Sequence, residues 1–114
     1  MTHKLSALAW LTLSLLTLPA YAAEGNAFER IEAACKETLR PDFEAANLGK
    51  ICGCVRRNYE AKPPKEDALE LLVRSHEQDN AAEQELQKTE WEDALLFDYD
   101  VTDGCVKKPS YRYP

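Results

Sequence analysis

Past residue 22 the chain has no methionine, a single histidine (His76) and only two serines, Ser75 and Ser110. These scarcities narrow the chemistry. Without methionine, and with the thiols expected to be oxidised, there is no soft ligand set for copper. Ser75 adjoins His76, and adjacent side chains on a helix point in different directions, so no serine–histidine pair is arranged for hydrolysis. Carboxylates are plentiful, but none are marked out as a pair flanking a cleft, and a small helical domain has little room for one. The stretch from Asp98 through Asp100 and Asp103 to Gly104 has the start of a calcium-loop pattern. Its glycine is displaced by one position and Pro109 stands where the final glutamate belongs, so it reads as an acidic helix end. No catalytic residue, cofactor or metal is expected. Strand-like alternation, internal repeats and low-complexity segments are missing as well.

What is present begins with an export signal. Lys4 supplies a positive start, Leu5 to Leu18 is an apolar run too short for a comfortable membrane span, and Pro19 leads into Ala20-Tyr21-Ala22, a cleavage pattern of small residues. Residues 1–22 are therefore expected to be a signal peptide removed after Ala22. No stop-transfer pattern follows and no cysteine stands at the cleavage point to take a lipid, so no stable membrane anchor is expected. The expected location is the periplasm. Residues 23–114 are then one domain, small enough for covalent cross-links to matter.

Four cysteines remain, an even number in an oxidising compartment, and they predict two disulfides. Cys52-Gly53-Cys54 is the closely spaced pair. Leu48, Ile51, Cys52, Val55 and Tyr59 recur at helical spacing, with Asn47 as the expected cap and Lys62-Pro63-Pro64 as the stop. At about 100° per residue, Cys52 and Cys54 lie roughly 200° apart on that helix, so each points at a different neighbour. A bond between them would close a very small, distorted ring.

Upstream, Asn26 to Leu39 reads as a helix with Asn26 and Glu29 as a capping box and Phe28, Ile31, Cys35 and Leu39 on one face. Pro41 closes it, and the short loop over 40–46 forces an antiparallel hairpin. Cys35 and Cys52 are level across that hairpin. The preferred pairing is thus Cys35 with Cys52 and Cys54 with Cys105, with the swapped pairing left open because connectivity is not written in sequence.

Downstream, a third helix is expected over 64–79, with Ala68, Leu69, Leu72, Val73 and His76 on one face and His76 as the polar end of that stripe. Ala82 and Leu86 then fall on one side of a helix and Trp91, Ala94, Leu95, Val101 and Cys105 on the other. The face switches near Thr89, where Thr89-Glu90-Trp91-Glu92 is itself a capping-box pattern. A short helix over 81–88 is therefore expected, followed by a restart from Glu90 to about Tyr99. Asp100 to Gly104 reads as a loose final turn or a loop presenting Cys105, and residues from about 106 to 114 as a tail that lies along its own groove or is mobile, with contact of Tyr111-Arg112-Tyr113-Pro114 with a partner as the lesser alternative. The fold class is an all-α bundle of four to five helices cross-linked by two disulfides.

Charge is concentrated. Residues 65–93 carry ten acidic and three basic groups, whereas the segments on either side balance. An acidic surface of this kind disfavours nucleic acid and anionic membrane and suits a basic partner. The chain is similar in general build to small periplasmic helical proteins of Gram-negative bacteria, including acid-stress chaperones, secretin pilotins and immunity proteins. It departs from the first in having two expected disulfides and from the second in lacking a lipid site. The expected function is non-catalytic binding of another exported protein, as an inhibitor or immunity protein for a cell-wall-acting or other exported effector, or as an envelope assembly factor. Trp91 is the candidate aromatic anchor, with Glu83, Glu85, Glu90 and Glu92 as the acidic surface around it. The alternative is a thiol-disulfide helper acting through Cys52 and Cys54.

Overall fold

The computed structural model describes residues 26–114, so the expected signal peptide and its cleavage after Ala22 lie outside the described residues. Among the described residues there are five α-helices: α1 (Ala27–Leu39), α2 (Ala45–Ala61), α3 (Glu66–His76), α4 (Asn80–Leu86) and α5 (Glu92–Lys107). Short 3-10 turns at Arg40–Asp42 and Thr89–Trp91 join the first pair and the last pair. The domain is a small all-α bundle held by two disulfides.

The first helix starts as its capping box requires. The Glu29 amide donates to Asn26 Oδ1 at 2.8 Å and the Asn26 amide donates to Glu29 Oε1 at 3.0 Å, which satisfies two amides that a helix start leaves free. α1 and α2 then pack as an antiparallel hairpin. Its register is visible in two cross-links, since Cys35 is bonded to Cys52 while Glu32, one turn earlier, meets Arg56, one turn later, at 3.1 Å. The second disulfide joins Cys54 to Cys105, so the preferred pairing is the one formed.

Several boundaries differ from the sequence reading. α2 begins at Ala45 with Glu44 at its cap, not at Asn47, because Phe43 packs against the core and the helix-favouring Ala45-Ala46 follows at once. α3 runs only from Glu66 to His76. Pro64 lies ahead of its first turn, and Gln78, at φ 70°, turns the chain out of it. Asp79 does not end α3; it caps α4, accepting the amides of Ala81 and Ala82 at 3.0 and 3.3 Å. Neither Ala81 nor Lys88 bounds that helix, which runs from Asn80 to Leu86.

The largest difference is α5, which runs without a break from Glu92 to Lys107 instead of stopping near Tyr99. Phe97, Val101 and Cys105 recur every fourth residue on its buried face, and anchoring Cys105 to α2 keeps the last turns helical. The stretch resembling a calcium loop is thus continuous helix. Val106 and Lys107 belong to the helix, and the tail proper is residues 108–114.

The core is built from the stripes named in the sequence, Ile31 and Cys35 from α1, Ile51, Val55 and Tyr59 from α2, Leu72 and Val73 from α3, Leu86 from α4 and Val101 from α5, joined by Phe97 of α5, which those stripes did not include. Burying each large apolar side chain stabilises the fold by about 1.5–3 kcal/mol before the ordering cost is subtracted. No helix among the described residues is long and apolar enough to cross a membrane. The two disulfides suit an oxidising, exported environment.

Candidate functional site

The tail decides the shape of the surface. Asn58, a buried polar residue on α2, donates through Nδ2 to the Tyr111 carbonyl at 3.0 Å and to the Cys54 carbonyl at 2.9 Å, and accepts the Tyr113 amide on Oδ1 at 2.7 Å. Arg57 donates to the Pro109 carbonyl at 3.0 Å, and Lys62 reaches the Pro114 carbonyl. Polar groups on the C-terminal half of α2 thus clamp the tail along the bundle. Of the fates the sequence leaves open to the tail, this is the docked one.

Clamping the tail positions Tyr113 edge-on to Phe97, with ring centres 4.9 Å apart, and Phe97 stands edge-on to the buried Tyr59 at 5.0 Å. The outer end of this aromatic row opens into a groove of about 500 Å³. Trp91, Phe97, Tyr113 and Pro64 supply its apolar walls, with Ala68 and Ala94 beneath. Its rim carries Asp67, Glu90 and Asp93, which form no ion pair among the described residues, together with Lys62 and Lys65.

Trp91 is half-buried at the end of the second 3-10 turn, where the face of the sequence pattern switches. Its indole N–H donates to Glu85 Oε2 at 2.9 Å, while Lys88 Nζ lies 2.9 Å from the other oxygen of that carboxylate. The Trp91 hydrogen bond, followed by Lys88, holds the Glu85 carboxyl below its ordinary range. Glu85 is therefore a brace for the tryptophan rather than free surface charge.

The five residues expected to act together are consequently divided. Trp91 and Glu90 line the groove, Glu85 buttresses Trp91, Glu83 is exposed in the first turn of α4, and Glu92 faces a separate hollow beside Leu96 and Tyr99. Of the residues that complete the groove, Phe97 escaped the sequence reading, Pro64 entered it only as a helix boundary, and Tyr113 only as part of the tail. The aromatic content of the tail was visible, but its destination depends on Asn58.

A second polar cluster lies inside the bundle. Asp98 Oδ1 accepts the Tyr59 hydroxyl and lies 2.8 Å from His76 Nε2, joining α2, α3 and α5. Burial and then the Asp98 charge push the Tyr59 hydroxyl well above its ordinary pKa, so it remains a donor. For His76 burial acts downward, but the hydrogen bond and charge of Asp98 outweigh it and leave the imidazole raised. His76 is thus the polar end of the α3 stripe, and it borders a cleft it shares with Arg30, Glu37 and Glu77. Arg30 is itself gripped there by Glu77 at 2.7 Å and Glu70 at 3.2 Å.

All four cysteine residues are buried, Cys35 being 3% exposed and the other three 0%. No attacking thiolate can reach sulfurs so enclosed without local opening. No family model matches the chain, and comparison with curated proteins and with solved structures gives no significant match.

Proposed function

We propose that the protein is a non-catalytic periplasmic binding protein that holds another exported protein, with an inhibitor or immunity protein for a cell-wall-acting or other exported effector, or an envelope assembly factor, as its biological role. The observation that carries this reading is the groove at Trp91. It joins preformed aromatic walls to three carboxylates that have no ion-pair partner among the described residues, the combination that serves an apolar anchor surrounded by lysine or arginine. The acidic excess of residues 65–93 adds a field that speeds encounter with a basic partner. The redox alternative gains no support, because the disulfides are enclosed in the core.

The test uses immobilised protein beginning at Ala23 and a periplasmic extract, with Glu90→Lys and Asp93→Lys together as the comparison. Both side chains are exposed, so the substitutions spare the core. A basic protein retained by the original chain, released by salt and not retained by the variant is the expected result. Equal retention by both would remove the groove from the reading. Trp91→Ala is a poorer probe, since Trp91 also packs on the core.

A further inference from the structure

The outer face of α5 carries apolar surface that the fold does not use. Leu96 is 53% exposed and Tyr99 59%, the large hydrophobic side chains left most open among the described residues. They are three residues apart and so stand side by side on the helix. Beside them is a hollow of about 260 Å³ floored by Leu86 and Leu95. The helix is attached to the bundle through its opposite face, with Phe97, Val101 and Cys105 buried there. Exposing Leu96 and Tyr99 therefore contributes nothing to folding, and their burial is available to a partner.

The charges around this pair select the partner. Glu92 and Asp100 flank it, both exposed and both without an ion-pair partner among the described residues, and Asp103 continues the stripe, paired to Lys107 at 3.1 Å. The cation bordering the hollow, Lys88, is already held by Glu85 at 2.9 Å. A second copy of this chain fits poorly. Two-fold pairing through Leu96 and Tyr99 would crowd the carboxylates of the two copies together, and like charges brought into an interface oppose it. An anionic lipid surface is opposed for the same reason.

We infer that the α5 face formed by Glu92, Leu96, Tyr99 and Asp100 is a second contact surface, separate from the Trp91 groove, which receives an apolar side chain presented by a lysine- or arginine-rich surface of the partner protein. The inference rests on the protein-binding reading and adds where else on the molecule the partner is held. Two contact areas on neighbouring faces of α5 allow one basic protein to straddle that helix, adding interface area that the groove alone does not provide.

Site-directed photocrosslinking of the full chain in cells separates this inference from the reading beneath it. A photoreactive residue is placed at position 96, at position 90 on the groove rim, or at Lys50 on the exposed side of α2. The expected result is one basic protein, identified by mass spectrometry, joined at 96 and at 90 but not at 50. Its capture at 96 should disappear with Glu92→Lys and Asp100→Lys together. Capture at 90 alone overturns the α5 surface and leaves the groove standing, whereas capture at neither overturns both. An adduct of two copies of the chain from position 96 also overturns the inference, as does an adduct that survives charge reversal.

A purified-component arm uses an amphipathic helical peptide of leucine and lysine as probe, with a leucine–glutamate peptide as control. Leu96 methyl and Tyr99 ring signals should shift with the first peptide and not the second. Leu96→Ser with Tyr99→Ser should weaken that binding at least about tenfold without lowering the melting temperature. Unchanged affinity in this variant, or shifts centred on Trp91 instead, would count against the α5 surface.

Discussion

Asp98 Oδ1 lies 2.8 Å from His76 Nε2 and accepts the Tyr59 hydroxyl on the same oxygen, so one carboxylate ties α2, α3 and α5 together. Its partners respond differently to pH. Tyr59 stays protonated, whereas His76 is raised above its ordinary value and titrates. A raised imidazole binds its proton more tightly in the folded chain than in the unfolded one. Its contribution is therefore full below an unfolded value of about 6.5 and is lost as pH rises through the folded-state value. Urea midpoints measured from about pH 5 to pH 8 should fall across that interval. In Asp98→Asn only burial acts on the imidazole, so the histidine contribution should change sign. A slope identical in the two proteins would mean the pair does not control it.

Asn58 should matter more than its single side chain suggests. Asn58→Ala leaves the Tyr113 amide and the Tyr111 carbonyl without their partner, a loss of about 1–3 kcal/mol measurable in denaturant. Asn58→Asp should be worse at neutral pH, because a buried carboxylate then faces the Cys54 and Tyr111 carbonyls that the amide group had served. In both variants residues 108–114 should become accessible to carboxypeptidase.

Gly104 and Gly49 both lie inside helices, yet alanine should act in opposite directions. At Gly49 an added Cβ meets nothing within 4 Å, so Gly49→Ala should stabilise by up to about 1 kcal/mol through helix propensity. At Gly104 the same atom would stand 2.6 Å from the Tyr111 ring, whose backbone Asn58 holds in place. Displacing the ring should outweigh the helical gain, making Gly104→Ala destabilising in thermal melts. In a Tyr111→Ala background the clash is gone and Gly104→Ala should become stabilising, a reversal that a double-mutant cycle would record.

The two disulfides should contribute unequally. Cys35–Cys52 spans 17 residues of sequence and Cys54–Cys105 spans 51. In the chain-entropy account these loops correspond to about 3 and about 4 kcal/mol. Removing the second bridge by paired alanine substitution should therefore lower the melting temperature more, and should also loosen the last turns of α5. Greater loss from the first pair would mean that native-state packing, rather than loop closure, sets the order.

By itself the sequence determined the all-α class, the first helix with its Asn26–Glu29 box, and the pairing preference that places Cys35 opposite Cys52. These rest on local chemistry: helical periodicity, a cap within one turn and a hairpin loop too short for another register. Tertiary structure decided what depended on distant partners. α5 continues past Tyr99 because Cys105 is tied to Cys54 and Val101 meets the core. The tail docks because Asn58 reaches Tyr111 and Tyr113, 53 and 55 residues away. Trp91 gains its groove only when Pro64, Phe97 and Tyr113 arrive from three separate segments, and Asp98 gathers Tyr59 and His76 in the same way. Periodicity states which face of a helix is buried; which distant polar or aromatic group waits on the other side is settled when those faces pack.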